Sequence, residues 1–142
     1  MRRELPGGYE LDDDPSRLDL EAIWGFLSTE AYWGTDRSRD VVERQVREAA
    51  RTIGLYRGDR QVGFARVVSD DRIAYLADVY VLRDHRGHGL GVELVRASVE
   101  EGPQRDLRWL LHTMDAHGLY ERFGFGPPSD RVLERPPAGE RG

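Results

Sequence analysis

The segment that most restricts the fold is IAYLADVYVL (Ile73–Leu82), followed at once by RDHRGHGLG (Arg83–Gly91) and then by VELVRASVE. A β-branched and aromatic run of this length reads as a strand, and its nearly unbroken apolarity predicts burial on both faces. Val92, Leu94, Val95 and Val99 recur at helical spacing and predict a helix over about Gly89–Glu101, stopped by Gly102–Pro103. Between strand and helix, Gly87, Gly89 and Gly91 alternate with His88 and Leu90. Glycine lets successive backbone N–H groups converge on one point and lets a ligand approach closely. The helix that follows adds its free N–H groups and the positive end of its dipole. A diphosphate fits such a place, and Arg86 can add a fixed cation. Glycines alone leave a plain strand-to-helix connection open as the alternative. The turn lacks G-K-[ST], and its G-x-G-x-G spacing is not the dinucleotide-binding G-x-G-x-x-G, so neither nucleotide motif applies.

Around this segment the remaining elements follow from periodicity. Leu18, Ala22 or Ile23, and Phe26 or Leu27 suggest a first helix over Pro15–Leu27, with Asp14 or Ser16 as its cap. A second helix is expected over Ser38–Ala50, capped by Ser38. Thr52–Arg57 and Gln61–Ser69 flank Gly58–Asp59, a hairpin signature. Leu107–Thr113 reads as a buried strand, and Asp115 can cap a short helix through Phe123, stopped by Gly124. A last edge strand is expected in Phe125–Glu134, interrupted by Pro127–Pro128. A strand around Tyr9–Leu11 can precede the first helix, behind an irregular lead-in over residues 1–8. The expected order is α-α-β-β-β-α-β-α-β, an α/β (α+β) arrangement with a mixed, mostly antiparallel central sheet flanked by helices. With 142 residues the chain suits one domain, taken as 1–134, with 135–142 as a Pro- and Gly-rich flexible tail.

Composition narrows the function classes. There is no cysteine, which excludes disulfides, zinc–thiolate sites and a cysteine nucleophile. The formal net charge is −5, and all 21 basic residues are arginine, interspersed with acids, so no nucleic-acid partner is expected. No apolar run is long enough to span a membrane, and the N-terminus lacks a secretory apolar stretch, so a cytoplasmic protein without a membrane partner is expected. The histidines His85, His88, His112 and His117 have no metal-ligand spacing, so no metal is expected. The acidic balance leans towards a small cationic amine as partner.

Val81-x-x-x-x-Arg86-Gly87-x-Gly89-x-Gly91 after an apolar strand resembles the acyl-coenzyme signature of the GNAT N-acetyltransferase family, written Q/R-x-x-G-x-G/A. Leu119-Tyr120-Glu121-Arg122-Phe123-Gly124-Phe125 is similar to the L-Y-x-x-x-G-F close of the same family. Arg83 departs from the pattern, standing where relatives often carry proline. The resemblance covers roughly residues 50–126 and implies a GNAT-like fold that uses acetyl-CoA as acyl donor. It implies that the backbone of Arg86, Gly87, His88, Gly89, Leu90 and Gly91 holds the pyrophosphate. The strand end Val79, Tyr80 and Val81 would bond the pantetheine arm, and Tyr120 would protonate the departing thiolate. A phenol of pKa about 10 can do this, although a short-helix core residue is the plainer reading of Tyr120. Asp78 inside an apolar strand is either a catalytic relay for the acceptor's proton or a structural carboxylate paired with arginine. Tyr32 and Trp33 lie where the family places its acceptor loop and are candidate substrate-binding residues. The expected activity is transfer of acetyl from acetyl-CoA to a primary amine by direct attack, in a chain that can form a homodimer. A non-catalytic acetyl-CoA sensor, or the same fold with another acyl-CoA, are the alternatives.

Overall fold

The computed structural model describes residues 1–31 and 36–141. Six strands form one sheet in the order β1-β2-β3-β4-β5-β6. They are β1 (Arg2–Leu5), β2 (Tyr9–Asp12), β3 (Arg51–Arg57), β4 (Arg60–Ser69), β5 (Ile73–Val81) and β6 (Arg108–Leu110). Neighbours are antiparallel except β5 and β6, which run parallel. The parallel pair needs a crossover, and α3 (Leu90–Val99) supplies it. The helices α1 (Leu20–Thr29) and α2 (Arg39–Glu48) separate β2 from β3, and α4 (His117–Glu121) follows β6.

The sheet carries a core on each face. On the α3 side, Ile53 and Leu55 of β3, Val67 of β4 and Leu76 of β5 pack with Leu94 and Val95. On the other side, Phe64 of β4 and Tyr80 of β5 pack with Ile23, Phe26 and Leu27 of α1 and Val42 and Val46 of α2. The Tyr80 ring stacks on Phe26 with centroids 3.9 Å apart. Each fully buried side chain of this kind contributes roughly 1.5–3 kcal/mol, so the two clusters are the main source of stability.

Several expected boundaries shift for local reasons. The first helix divides into a single 3₁₀ turn at Pro15–Arg17, capped by Asp14, and α1 proper, whose cap is Asp19 accepting from the Ala22 N–H at 3.1 Å. Ser38 caps α2 as expected. The lead-in expected to be irregular contains β1, turned onto β2 through Gly7 and Gly8, both at positive φ. Strand β6 is shorter than expected, and Asp115 does not cap α4. The Thr113 hydroxyl accepts from the Ala116 N–H instead. No strand forms in Phe125–Glu134, and β6 is the edge of the sheet. Pro127–Pro128 removes two ladder donors from that segment, which is the physical reason the expected edge strand does not pair.

Candidate active site

Two departures from regular pairing shape the site. First, β5 pairs with β6 only from Ile73 to Tyr75, opposite Arg108 to Leu110. Beyond Tyr75 the remaining six residues of β5 have no strand partner on that side among the described residues, so the sheet forks there. Second, the β4–β5 ladder steps from Arg66↔Ala77 to Phe64↔Tyr80, which places one extra residue in β5. The extra residue is a β-bulge, and Asp78 within it sits at φ 55°, in the left-handed region. A bulge takes a residue out of the ladder and re-aims its neighbours. Leu76 faces the α3 core, whereas Tyr80, four residues on, faces α1 and α2. Strict alternation would put both on one face, so the bulge reverses the strand's facing.

The bulge is held by charge. Asp78 is 6% exposed. Arg37, just before α2, approaches it with both terminal nitrogens, Nη2 to Oδ1 at 2.8 Å and Nη1 to Oδ2 at 3.0 Å. Arg66 on β4 donates Nε to Oδ2 at 2.9 Å. Burial alone would push the Asp78 carboxyl up, but the bonds and charges of Arg37 and Arg66 outweigh it and hold it below the ordinary carboxylate range. Of the two sequence readings of Asp78, the geometry matches the carboxylate paired with arginine. Neither Arg37 nor Arg66 carries a sequence signal that would have named it, because their bonds span 41 and 12 positions.

At its far end β5 hands over through Leu82 and a 3₁₀ turn at Arg83–His85 to the glycines. Gly87 and Gly89 have φ of 88° and 72°, and Gly89 is the N-cap of α3 without a side-chain cap. A Cβ at Gly87, Gly89 or Gly91 would meet nothing within 4 Å, so the backbone there faces open space. The first N–H groups of α3 have no acceptor within the helix and point out of its end. Residues Arg86 to Gly89 are exposed, and Leu90 is buried as the helix's first anchor. Arg86 folds back, with Nε donating to the Val81 carbonyl at 2.8 Å, and so ties the turn to the strand end. Tyr9 of β2 adds a second tie the sequence did not indicate. Its hydroxyl lies 2.8 Å from His85 Nδ1 and its ring 6.1 Å from that of His88.

Across the fork, α4 places Tyr120 half-buried against the α3-side core, edge-on to Phe125 at 5.9 Å. At the fork's closed end the Tyr75 hydroxyl lies 2.5 Å from His112 Nδ1, and His112 Nε2 lies 3.4 Å from Glu134. A cavity of about 1060 Å³ opens beside β6, lined in part by Tyr75, Trp109, His112, Tyr120 and Phe125. The structure therefore brings Asp78, Val79, Tyr80 and Val81 onto one strand, continuous with the turn from Arg86 to Gly91, with Tyr120 on the neighbouring arm. Val79 packs partly buried against the α3 side, while Tyr80 is stacked in the opposite core. Only the Tyr80 backbone can then serve a ligand, since burial also raises its phenol well above the ordinary range. Tyr32 and Trp33 lie outside the described residues. Among the described residues, no helix is long and apolar enough to cross a membrane.

Comparison with known proteins bears on the same segment. The model of the acetyltransferase (GNAT) family matches residues 18–125. A crystal structure of a GNAT family protein from Xanthomonas campestris pv. campestris is 39% identical, with a TM-score of 0.85 over 96% of this chain and 98% of that one. The Gibberella zeae protein FG08082, provisionally named an acetyltransferase, is 28% identical over 83% of this chain and 79% of its own length. A Clostridium acetobutylicum protein assigned as an acetyltransferase and solved with acetyl-CoA shares the fold at a TM-score of 0.66 and 13% identity, over 90% of this chain and 94% of that one. The chain belongs to the GNAT acetyltransferase family, and its six-stranded mixed sheet is that family's fold.

Proposed function

We propose that this GNAT family member transfers an acetyl group from acetyl-CoA to a primary amine. The observation that carries the reading is the conjunction on one strand: β5 leaves β6 after Tyr75, bulges at Asp78, and ends in a turn of outward-facing amides at the start of α3. The open approach at Gly87, Gly89 and Gly91 fits a pyrophosphate, and the unpaired side of β5 offers main-chain groups to an extended pantetheine arm. Acetyl-CoA bound to the Clostridium relative of the same fold supports the choice of donor.

In this reading the bulge frees a main-chain N–H near Val79 to polarise the thioester carbonyl. A neutral amine nitrogen attacks that carbon, the C–N bond forms, and the C–S bond breaks. The Tyr120 hydroxyl gives its proton to the departing sulfur. The amine's surplus proton passes to water in the open fork, and Tyr120 is reprotonated from solvent. Asp78, with both oxygens engaged by arginine, acts as a positioning residue for the bulge rather than as the base. Tyr32 and Trp33 are proposed to contribute to the acceptor side through the segment that leads into Arg37.

The test is calorimetric titration with acetyl-CoA and coenzyme A, followed by thiol release over a panel of primary amines. Micromolar binding with amine-dependent thiol release is expected. Absence of coenzyme affinity would sink the reading, and tight binding without release under any amine would favour the sensor alternative.

A further inference from the structure

On the face of β5 turned away from α3, the bulge gathers two guanidinium groups around one carboxylate. Ala65, Val67, Ala74 and Leu76 face the α3 core, so Arg66, Val68, Ile73 and Tyr75 face the other way by alternation. Among the described residues, α1 and α2 cover that face over Phe64 and Tyr80 but not beyond. Val68 stays 42% exposed and Ile73 38%. An uncovered strip thus runs outward from Arg66 over Val68, Tyr75 and Ile73, with His112 and Glu134 along the β6 side. Its inner end is the bulge, where the Asp78 carboxylate meets two guanidinium groups and leaves one positive charge in surplus.

The arginines also have donors to spare. Arg66 spends only Nε on Asp78, and among the described residues no acceptor bonds its Nη1 or Nη2, although the side chain is only 11% exposed. Arg37 Nε has no hydrogen-bond partner among the described residues, but it is fully buried, so Arg66 is the one of the pair with donors a ligand can reach. Guanidinium donors held rigidly by another carboxylate and left open on one edge match the planar, two-oxygen geometry of a carboxylate. The Asp78 carboxylate at the bulge is already neutralised by these arginines.

We propose that the acceptor is a primary amine that itself bears a carboxylate, with an apolar side chain: a free amino acid of apolar type. Its carboxylate takes the open edge of Arg66, its side chain lies towards Val68 and Tyr75, the next pair along the ladder on that face, and its amine is brought beside the bulge. The inference rests on the acetyltransferase reading and names the substrate class of that site. It turns the expected partner from a cationic amine to a zwitterionic one.

The experiment compares amino acids with their decarboxylated counterparts, phenylalanine against phenethylamine and leucine against isoamylamine. Thiol release from acetyl-CoA is one readout, and binding of N-acetylphenylalanine against N-acetylphenethylamine to the coenzyme A complex is the other. One charge-assisted recognition should favour the carboxylate-bearing member by about tenfold to a hundredfold in both readouts. In Arg66→Gln the ratio should collapse towards unity. The double variant Arg66→Gln, Asp78→Asn, which removes the charges as a pair, should do the same if the single variant does not fold. Equal or better use of the decarboxylated amines, or equal binding of the two acetyl products, overturns the inference while leaving acetyl transfer intact. Failure of coenzyme A to bind at all overturns both. A ratio unchanged in the folded variants overturns the role of Arg66.

Discussion

The two ends of β5 solve opposite problems. At the glycine turn the backbone is exposed, the side chains are small or absent, and positive φ comes at little cost because Gly87 and Gly89 have no Cβ. At the bulge, nine to eleven residues upstream, positive φ falls on an aspartate, and the strain is held in place by a buried ion network. A non-glycine residue in the left-handed region costs about 1–3 kcal/mol, and the bonds of Arg37 and Arg66 to Asp78 help to hold the bulge against that cost. The turn is an exposed stretch of backbone, open to approach at its glycines. The bulge is a rigid feature complete before any ligand arrives.

That contrast can be broken by substitution, and the largest effect is expected at the bulge. Asp78→Ala leaves two guanidinium groups partly buried without their acid, and should lower unfolding stability by about 3–5 kcal/mol in denaturant titration. A loss no greater than that of a glycine-turn variant would erase the distinction. The same network sets a pH dependence. The folded Asp78 pKa lies below its unfolded value, so its stabilisation is present above about pH 4 and is lost as pH falls through the folded value. The stability gap between the native chain and Asp78→Asn should therefore narrow as pH is taken below about 4.

Next in size is the arm across the fork. Tyr120→Phe should reduce kcat by about a hundredfold with little change in coenzyme A affinity, as steady-state kinetics and calorimetry would show. Normal turnover in that variant would remove Tyr120 from the chemistry. A smaller effect is expected at the turn. Gly89→Ala forces a Cβ into φ 72° and should cost about 1–2 kcal/mol, seen mainly as roughly tenfold weaker coenzyme A binding in calorimetry. If Gly89→Ala binds coenzyme A normally, the turn is only a connection between strand and helix.

The smallest expected effect sharpens the view of the buried face. Tyr56 is 3% exposed and its hydroxyl has no hydrogen-bond partner among the described residues. Removing that group in Tyr56→Phe should leave stability unchanged or raise it by up to about 1 kcal/mol at neutral pH. Burial pushes the Tyr56 phenol up to about 12. Its contribution is thus full below the unfolded value near 10 and fades as pH rises towards the folded one. The phenylalanine variant should lack this alkaline loss, which a pH series of thermal melts would reveal.

Much of the site was legible where chemistry is local. The glycines announce the turn because positive φ and close approach demand them at fixed spacing, and Gly58 announces the β3–β4 hairpin in the same way. The Leu119–Phe125 stretch was legible through resemblance, and its α4 is present, although the cap is not the aspartate expected. The bulge was hidden because IAYLADVYVL is apolar on both sides of Asp78, so no change of alternation marks where the facing reverses. The edge strand expected in Phe125–Glu134 does not form, because the interruption at Pro127–Pro128 leaves too little of the segment with ladder donors.

The sequence by itself determined the strand, the glycine turn and the helix behind it, since these rest on dihedral preferences and on periodicity within a few residues. The tertiary structure alone decided that Arg37 and Arg66 meet at Asp78, that β5 parts from β6 after Tyr75, and that Tyr9 braces His85. Those contacts join residues far apart in the chain, and their energy comes from burial and charge pairing that exist only after the sheet has assembled.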